Sequence, residues 1–194
     1  MSLVLTAGPA VEPVSLAEAK AHLRIDGTAE DGFIQSLIVT SRLHIEAALG
    51  LALIEQDWSW TLDAWPLEPG VALPMRPVSA IQSVRVVAAD ISHATVDPAR
   101  YVLDGHGNPA RLLPTTLPLP APAIPAQGIE IAFTAGYGST PVDVPAPIRH
   151  AILLLVAHWF ENREPVVLGP RGTSAVRIPD TVSELLAPFR TARL

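Results

Sequence analysis

Six histidines and 19 carboxylates are the side chains of this 194-residue chain best suited to hold a metal, because it contains no cysteine. The same absence removes disulfides and thiol nucleophiles. His150 and His158 stand on one apolar-periodic stretch, eight positions apart, which is about 12 Å along a helix and too far to share one ion. His44 and Glu46 are two positions apart and leave a helix in different directions. His106 sits in a turn with no carboxylate cluster beside it. A Ser-His-Asp hydrolase would need a serine displayed on a sharp turn, and no Gly-x-Ser-x-Gly is present to supply it. Gly136-Tyr137-Gly138-Ser139-Thr140 lacks the lysine of a phosphate loop and runs into Pro141, so it reads as a turn. Gly169-Pro170-Arg171-Gly172-Thr173 has no strand or helix framing it as a nucleotide site. The residue types therefore nominate no catalytic centre, no cofactor and no metal.

The elements that would position any site follow a change of hydrophobic period. Ser15 can cap Glu18, and Glu18 can reach back, which starts a helix running to about Arg24. A second start at Thr28 leads a longer helix in which Phe33, Ile34, Leu37, Ile38, Ile45, Ala48 and Leu49 form the apolar stripe, until Gly50 ends it. Gln35, Ser36, Thr40, Arg42 and Glu46 make its other, modestly polar face. From Ile54 the period becomes two: Ile54, Gln56, Trp58, Trp60 and Leu62 alternate with Glu55, Asp57, Ser59, Thr61 and Asp63. Further strands are expected at 71–73, 83–88, 101–103, 111–113 and 129–133, parted by turn residues. Residues 114–125 hold five of the 20 prolines and read as an extended connector along a sheet edge. A helix is expected over 148–162, with Ile152, Leu155, Val156 and Trp159 on one face. The Gly- and Pro-punctuated stretch 166–179 reads as a mobile arm, and a short helix over about 181–187, capped by Asp180, closes the chain.

The fold class is thus α+β. The expected segments are an N-terminal helical pair (10–50), an inserted antiparallel β-domain (51–135), a long helix (145–164) and a C-terminal arm (165–194). Apolar residues are 49% of the chain and charged residues 16%, which excludes a disordered protein. The net charge of −6 argues against wrapping nucleic acid through a basic surface. The longest apolar run, residues 151–157, is far shorter than a bilayer span, and the opening residues lack the basic and apolar regions of an export signal, so a soluble chain that is not exported by a signal peptide is expected. Trp58, Trp60 and Trp65 could form a carbohydrate- or host-binding platform, although Trp58 and Trp60 share the apolar side of their strand.

Several ordered motifs carry a resemblance. EIAFTAGYG (130–138) followed by VPAPIRHAILLLVAHWFENRE (144–164) resembles the signature of the head-to-tail connector, or adaptor, proteins of long-tailed phages and gene transfer agents. PVSLAEAKAHLRID (13–26), Glu30-Asp31, ALIEQDWSWTLDAWP (52–66), LPMRPVSAIQSV (73–84), Tyr101 and Arg111-Leu112 follow the same pattern, in order, over residues 10–165. The resemblance implies a virion part without catalysis, made in the bacterial cytoplasm and acting at the head-tail junction. It implies a ring, a dodecamer in expectation, that docks beneath the portal protein, extends the DNA channel and offers a platform to the next tail-completion (stopper) protein. About twelve copies at −6 would sum to about −70, a charge that lets DNA slide without specific binding. No membrane partner is implied. The alternatives are the host- or carbohydrate-binding module and a phage hydrolase.

Two surfaces follow as expectations. Arg42 and Glu46, on the polar face of the long helix, are candidates for the contact between ring subunits. Arg171, Arg177, Arg190 and Arg193 make the C-terminal arm locally basic, and with Leu185, Leu186 and Phe189 as apolar anchors they are candidates for docking the portal. The terminal helix could instead close the subunit's own core.

Overall fold

The switch from a period of 3.6 to a period of two near residue 54, and back near residue 140, divides the chain into two units. One comprises residues 1–10 and 50–139, the other residues 11–49 and 140–194. The structure, a computed structural model, describes residues 1–66, 70–105, 107–163, 166–169, 172–175 and 178–190.

The first unit is built of β1 (Ser2–Ala7), β2 (Gln56–Leu62), β3 (Val71–Ala72), β4 (Val78–Val87), β5 (His93–Thr95), β6 (Tyr101–Asp104), β7 (Arg111–Pro114) and β8 (Ile129–Ala135). Five strands form an antiparallel sheet in the order β1-β2-β8-β4-β5, and three form a second one, β3-β7-β6. β8 lies at the centre of the larger sheet and alternates strictly, so Ile129, Ile131, Phe133 and Ala135 are all fully buried. They meet Leu62 of β2, Val78, Val84 and Val86 of β4, and Val71 and Leu112 of the smaller sheet in one apolar cluster. Each large side chain buried there contributes about 1.5–3 kcal/mol. Trp58, Trp60 and Trp65 pack on the same cluster.

The turn after β8 explains its glycine. Gly136 has φ +148, and a Cβ there would lie 2.5 Å from the backbone nitrogen of Glu55. That closeness lets the Gly136 amide donate to the Pro77 carbonyl at 2.8 Å and the Glu55 amide donate to the Gly138 carbonyl at 3.0 Å. The segment is a backbone crossing, in keeping with a turn and not a phosphate loop. The proline-rich connector is held from outside: Trp65 Nε1 donates to the Pro120 carbonyl at 2.8 Å and Arg100 Nη2 to the Pro118 carbonyl at 2.5 Å.

The second unit contains α1 (Leu16–Leu23), α2 (Asp31–Leu49), α3 (Ala146–Glu161), the hairpin β9 (Val166–Gly169) with β10 (Gly172–Ala175), and α4 (Asp180–Leu186). Ser15 and Glu18 form the expected capping box, and Arg24 ends α1 in the left-handed region, φ 56. Gly50, φ 64, stops α2. The core side of α2 is Ile34, Leu37, Ile38, Ile45 and Leu49, and that of α3 is Ile148, Ala151, Ile152, Leu155 and Val156.

Two expectations are corrected here. The opening residues form β1, a strand the alternation test misses because Leu3, Val4 and Leu5 run on without a polar break. Within the stretch read as a mobile arm, Val166–Gly169 and Gly172–Ala175 are strands. Val166-Val167-Leu168 are good strand formers, and Gly169 pairs with Gly172 to close a hairpin.

Candidate functional site

The sharpest local chemistry lies on α2, and it differs from the expected interface. Arg42 is only 6% exposed and Glu46 only 7%. Arg42 Nη1 donates to Glu46 Oε2 at 2.7 Å, one helical turn away, and its Nε donates to Glu12 Oε2 at 2.8 Å. Glu12 precedes α1, so the guanidinium ties the long helix to a segment thirty residues earlier in the chain. Burial lowers the Arg42 pKa, but the hydrogen bonds and charges of Glu12 and Glu46 outweigh it, and the net direction is upward. Arg42 and Glu46 are thus internal to the subunit. As candidates for a contact between copies they are corrected, because a partner chain would find neither group at the surface.

Asp31, the remaining charged residue of α2, accepts from Lys20 Nζ at 2.6 Å. All three charges of the helix are therefore neutralised within the subunit. Its exposed positions are Gly32, Gln35, Ser36, Val39, Thr40, Leu43, His44, Ala47 and Ala48, and none is charged. Leu43 is 51% exposed and Val39 36%. The hydroxyls bend back to their own helix, Ser36 Oγ donating to the Phe33 carbonyl at 2.7 Å and Thr40 Oγ1 to the Ser36 carbonyl at 2.8 Å. The helix presents an uncharged ladder of Gln35, Val39, Leu43 and Ala47 at four-residue spacing. Sequence reasoning missed this ladder. Its signal was present, because Val39 and Leu43 fall outside the apolar stripe that accounts for the core.

Beside the ladder, α2 and α3 enclose a cleft of about 480 Å³ lined by Phe33, Leu37, Thr40, His158, Trp159 and Arg163. The Arg163 guanidinium lies over the Phe33 and Phe160 rings at 4.7 and 5.0 Å and donates to Glu30 at 3.0 Å. The His150 ring meets the His22 ring edge-on with centroids 6.2 Å apart, and His44 meets Trp159. Among the described residues, no three His, Asp or Glu side chains converge as metal ligands.

The portal-docking candidates divide. Leu186 is 6% exposed and packs with the buried Val182, and α4 lies against α3. Leu186 closes its own unit, as the core reading of the terminal helix expects, and it is corrected as an anchor. Leu185 and Phe189 are half-buried and Arg190 is exposed. Leu185 borders a cleft with His150, Leu154, Thr181 and Glu184. Arg171, Arg177 and Arg193 lie outside the described residues. Trp58, Trp60 and Trp65 are partly buried, each packed on the β core, and Trp58 Nε1 is itself buried. Among the described residues, no helix is long and apolar enough to cross a membrane.

The model of the head completion protein family matches residues 13–191. Among solved structures, a chain in the virion of a native gene transfer agent particle is 27% identical, with TM-score 0.82, over 100% of this chain and 97% of that one. A chain from the neck of an empty gene transfer agent particle, computed with C6 symmetry, is 27% identical, with TM-score 0.83 and the same coverage. A third, from the neck of a native particle computed with C12 symmetry, is 28% identical, with TM-score 0.74, over 98% of this chain and 97% of that one. No curated protein sequence matches.

Proposed function

The chain belongs to the head completion protein family, and from that premise we propose that it is a non-enzymatic connector at the head-tail junction of a phage or gene-transfer-agent particle. Copies close into a ring beneath the portal, carry the DNA channel onward and seat the next tail-completion protein. The uncharged outer ladder of α2 carries this reading. A solvated helix turns its charges outward; α2 pairs all three of its charges within the subunit and leaves Val39, Leu43 and Ala47 to be covered by a neighbouring copy. The neck symmetries of the similar chains support a cyclic neighbour. A ring joins unlike faces of successive copies, so the ladder meets a different surface on the next subunit.

Docking to the portal is assigned to the chain's C-terminal end, through Leu185, Phe189 and Arg190 together with the arginines at 171, 177 and 193. The net charge of −6 per copy suits a conduit that does not hold DNA.

Electron microscopy of the chain mixed with its portal tests the proposal. Rings are expected for the natural sequence, and loss of rings for Leu43→Arg, with an unchanged circular-dichroism melt. Rings at full yield from Leu43→Arg would remove α2 from the contact, and an absence of rings from the natural chain would overturn the connector reading.

A further inference from the structure

β1 ends the five-stranded sheet, so one of its backbone edges pairs with β2 from Ser2↔Thr61 to Ala7↔Asp57 and the other has no strand beside it among the described residues. All six of its residues are exposed, with Leu3 at 37%, Val4 at 52% and Leu5 at 44%. Edge strands ordinarily carry a guard: a charge, a proline, a bulge or very short length. The opposite edge, β5, is three residues long. β1 has six residues with no charge and no proline, and its register shift comes only after Leu5.

A second strand pair in the chain has the complementary deficit. Among the described residues β9 and β10 form a sheet of two strands, and a two-stranded hairpin is marginal in water until a third strand or a packed face supports it. Neither strand contains a charged residue, and the Val-Val-Leu sequence of β9 is the stronger strand former.

We propose that the open edge of β1 takes β9 of a second copy of this chain, so that the hairpin of one subunit extends the five-stranded sheet of the next. The proposal rests on the ring reading above. Donor and acceptor are different surfaces of the same chain, and each copy gives one hairpin and receives one, which is the repeating contact a closed ring needs. Backbone hydrogen bonds supply the pairing, as in other strand additions to a sheet edge. Four residues of β9 fit within the six of β1, and no like charges oppose each other along either strand.

The chain's lack of cysteine makes the test direct. Val4→Cys is combined in turn with Val166→Cys, Val167→Cys, Leu168→Cys or Gly169→Cys, which spans the possible registers. Rings are first verified by electron microscopy, then oxidised and run on a non-reducing gel. One of the four pairs should give a ladder of covalent multimers, and the single-cysteine variants should give none. Intact rings in which all four pairs stay uncrosslinked, or in which the link forms within one chain, would overturn the hairpin exchange while leaving the ring reading standing. Failure of every variant and of the natural chain to form rings would overturn both. As a second arm, Val4→Lys places a guarding charge on the edge. It should lower ring yield at least tenfold with its melting temperature unchanged, and rings at the natural yield would count against the proposal.

Discussion

The two units of this chain treat charge in opposite ways. The β unit builds its core almost wholly from apolar side chains, Gln56 being a buried polar one, and pairs polar groups on the sheet surface, as where Ser59 donates to Glu130 at 2.9 Å and Asp57 accepts from Thr134 at 2.8 Å and from Gln82 at 2.6 Å. The helical unit uses ion pairs to join segments distant in sequence. Arg42 reaches Glu12, Lys20 reaches Asp31, and Arg149 reaches both Glu18 and the Pro13 carbonyl. A sheet fixes its neighbours through the backbone and needs no such ties. Helices satisfy their own backbone, so what holds α2 to the segment before α1 must be side-chain chemistry. The consequence for assembly is that α2 is left with an uncharged exterior.

The largest expected effect breaks that internal tie. Arg42→Met removes the cation that the Glu12 and Glu46 carboxylates share. Loss of one partner from a buried pair costs about 3–5 kcal/mol. The triple change Glu12→Gln, Arg42→Met, Glu46→Leu should recover much of it, because a buried ion pair replaced by apolar groups is often neutral. Denaturant melts of the two variants check this. Equal destabilisation in both would mean that Arg42 matters through packing alone.

Removal of residues 179–194 should come next. Val182 and Leu186 are buried against their own unit, and losing them costs about 3 kcal/mol at the lower value of about 1.5 kcal/mol for each side chain. A melting temperature lowered by several degrees is expected from calorimetry. An unchanged melt with loss of portal binding would return the whole terminal helix to a docking role.

A smaller effect is expected in the β unit at Gly136→Ala. The new Cβ would stand 2.5 Å from the Glu55 backbone, at a φ of +148 that side chains avoid. Strain of this kind costs about 1–3 kcal/mol. Gly8→Ala, where a Cβ meets nothing within 4 Å, is the control and should melt like the natural chain.

These contrasts also separate what was legible in the sequence from what was not. The capping box of Ser15 and Glu18, the stop at Gly50 and the alternation along β2 and β8 are local patterns, and each specifies its own element. The face that α2 turns inward is not local. Arg42 and Glu46 read as a polar exterior until Glu12 is brought beside them, and nothing in the spacing announces that partner. β1 was hidden for a related reason. Alternation reports a strand with one wet side, whereas the unbroken apolar run at Leu3, Val4 and Leu5 is exposed throughout and takes its place by pairing with β2. Sites formed by bringing together segments far apart in the chain leave only residues that fit no local pattern, as Val39 and Leu43 do on α2.

The finest comparison sets one carboxylate of each unit against the other in acid. The Glu18 pKa lies below its ordinary 4.5, chiefly because the Ser15 amide donates to its carboxylate at 2.9 Å, with further help from the Ser15 hydroxyl and Arg149. The Asp63 pKa lies below its ordinary 3.8 because the Gln127 amide donates to it at 2.8 Å and the terminal ammonium stands 3.6 Å away. A lowered carboxylate pKa means that the unfolded chain takes up the proton first. The contribution is complete above the ordinary value and is lost as pH falls through the lower, folded one. The gap in melting temperature between the natural chain and Glu18→Gln should therefore begin to close below about pH 4.5. The gap to Asp63→Asn should hold until below about pH 3.8. Melting curves taken from pH 7 to pH 3 resolve the order. If both gaps stay constant to pH 3, neither carboxylate's charge stabilises its unit. If the Asp63 gap closes first, the two units take up protons in the reverse of the order set by the ordinary values of 4.5 and 3.8.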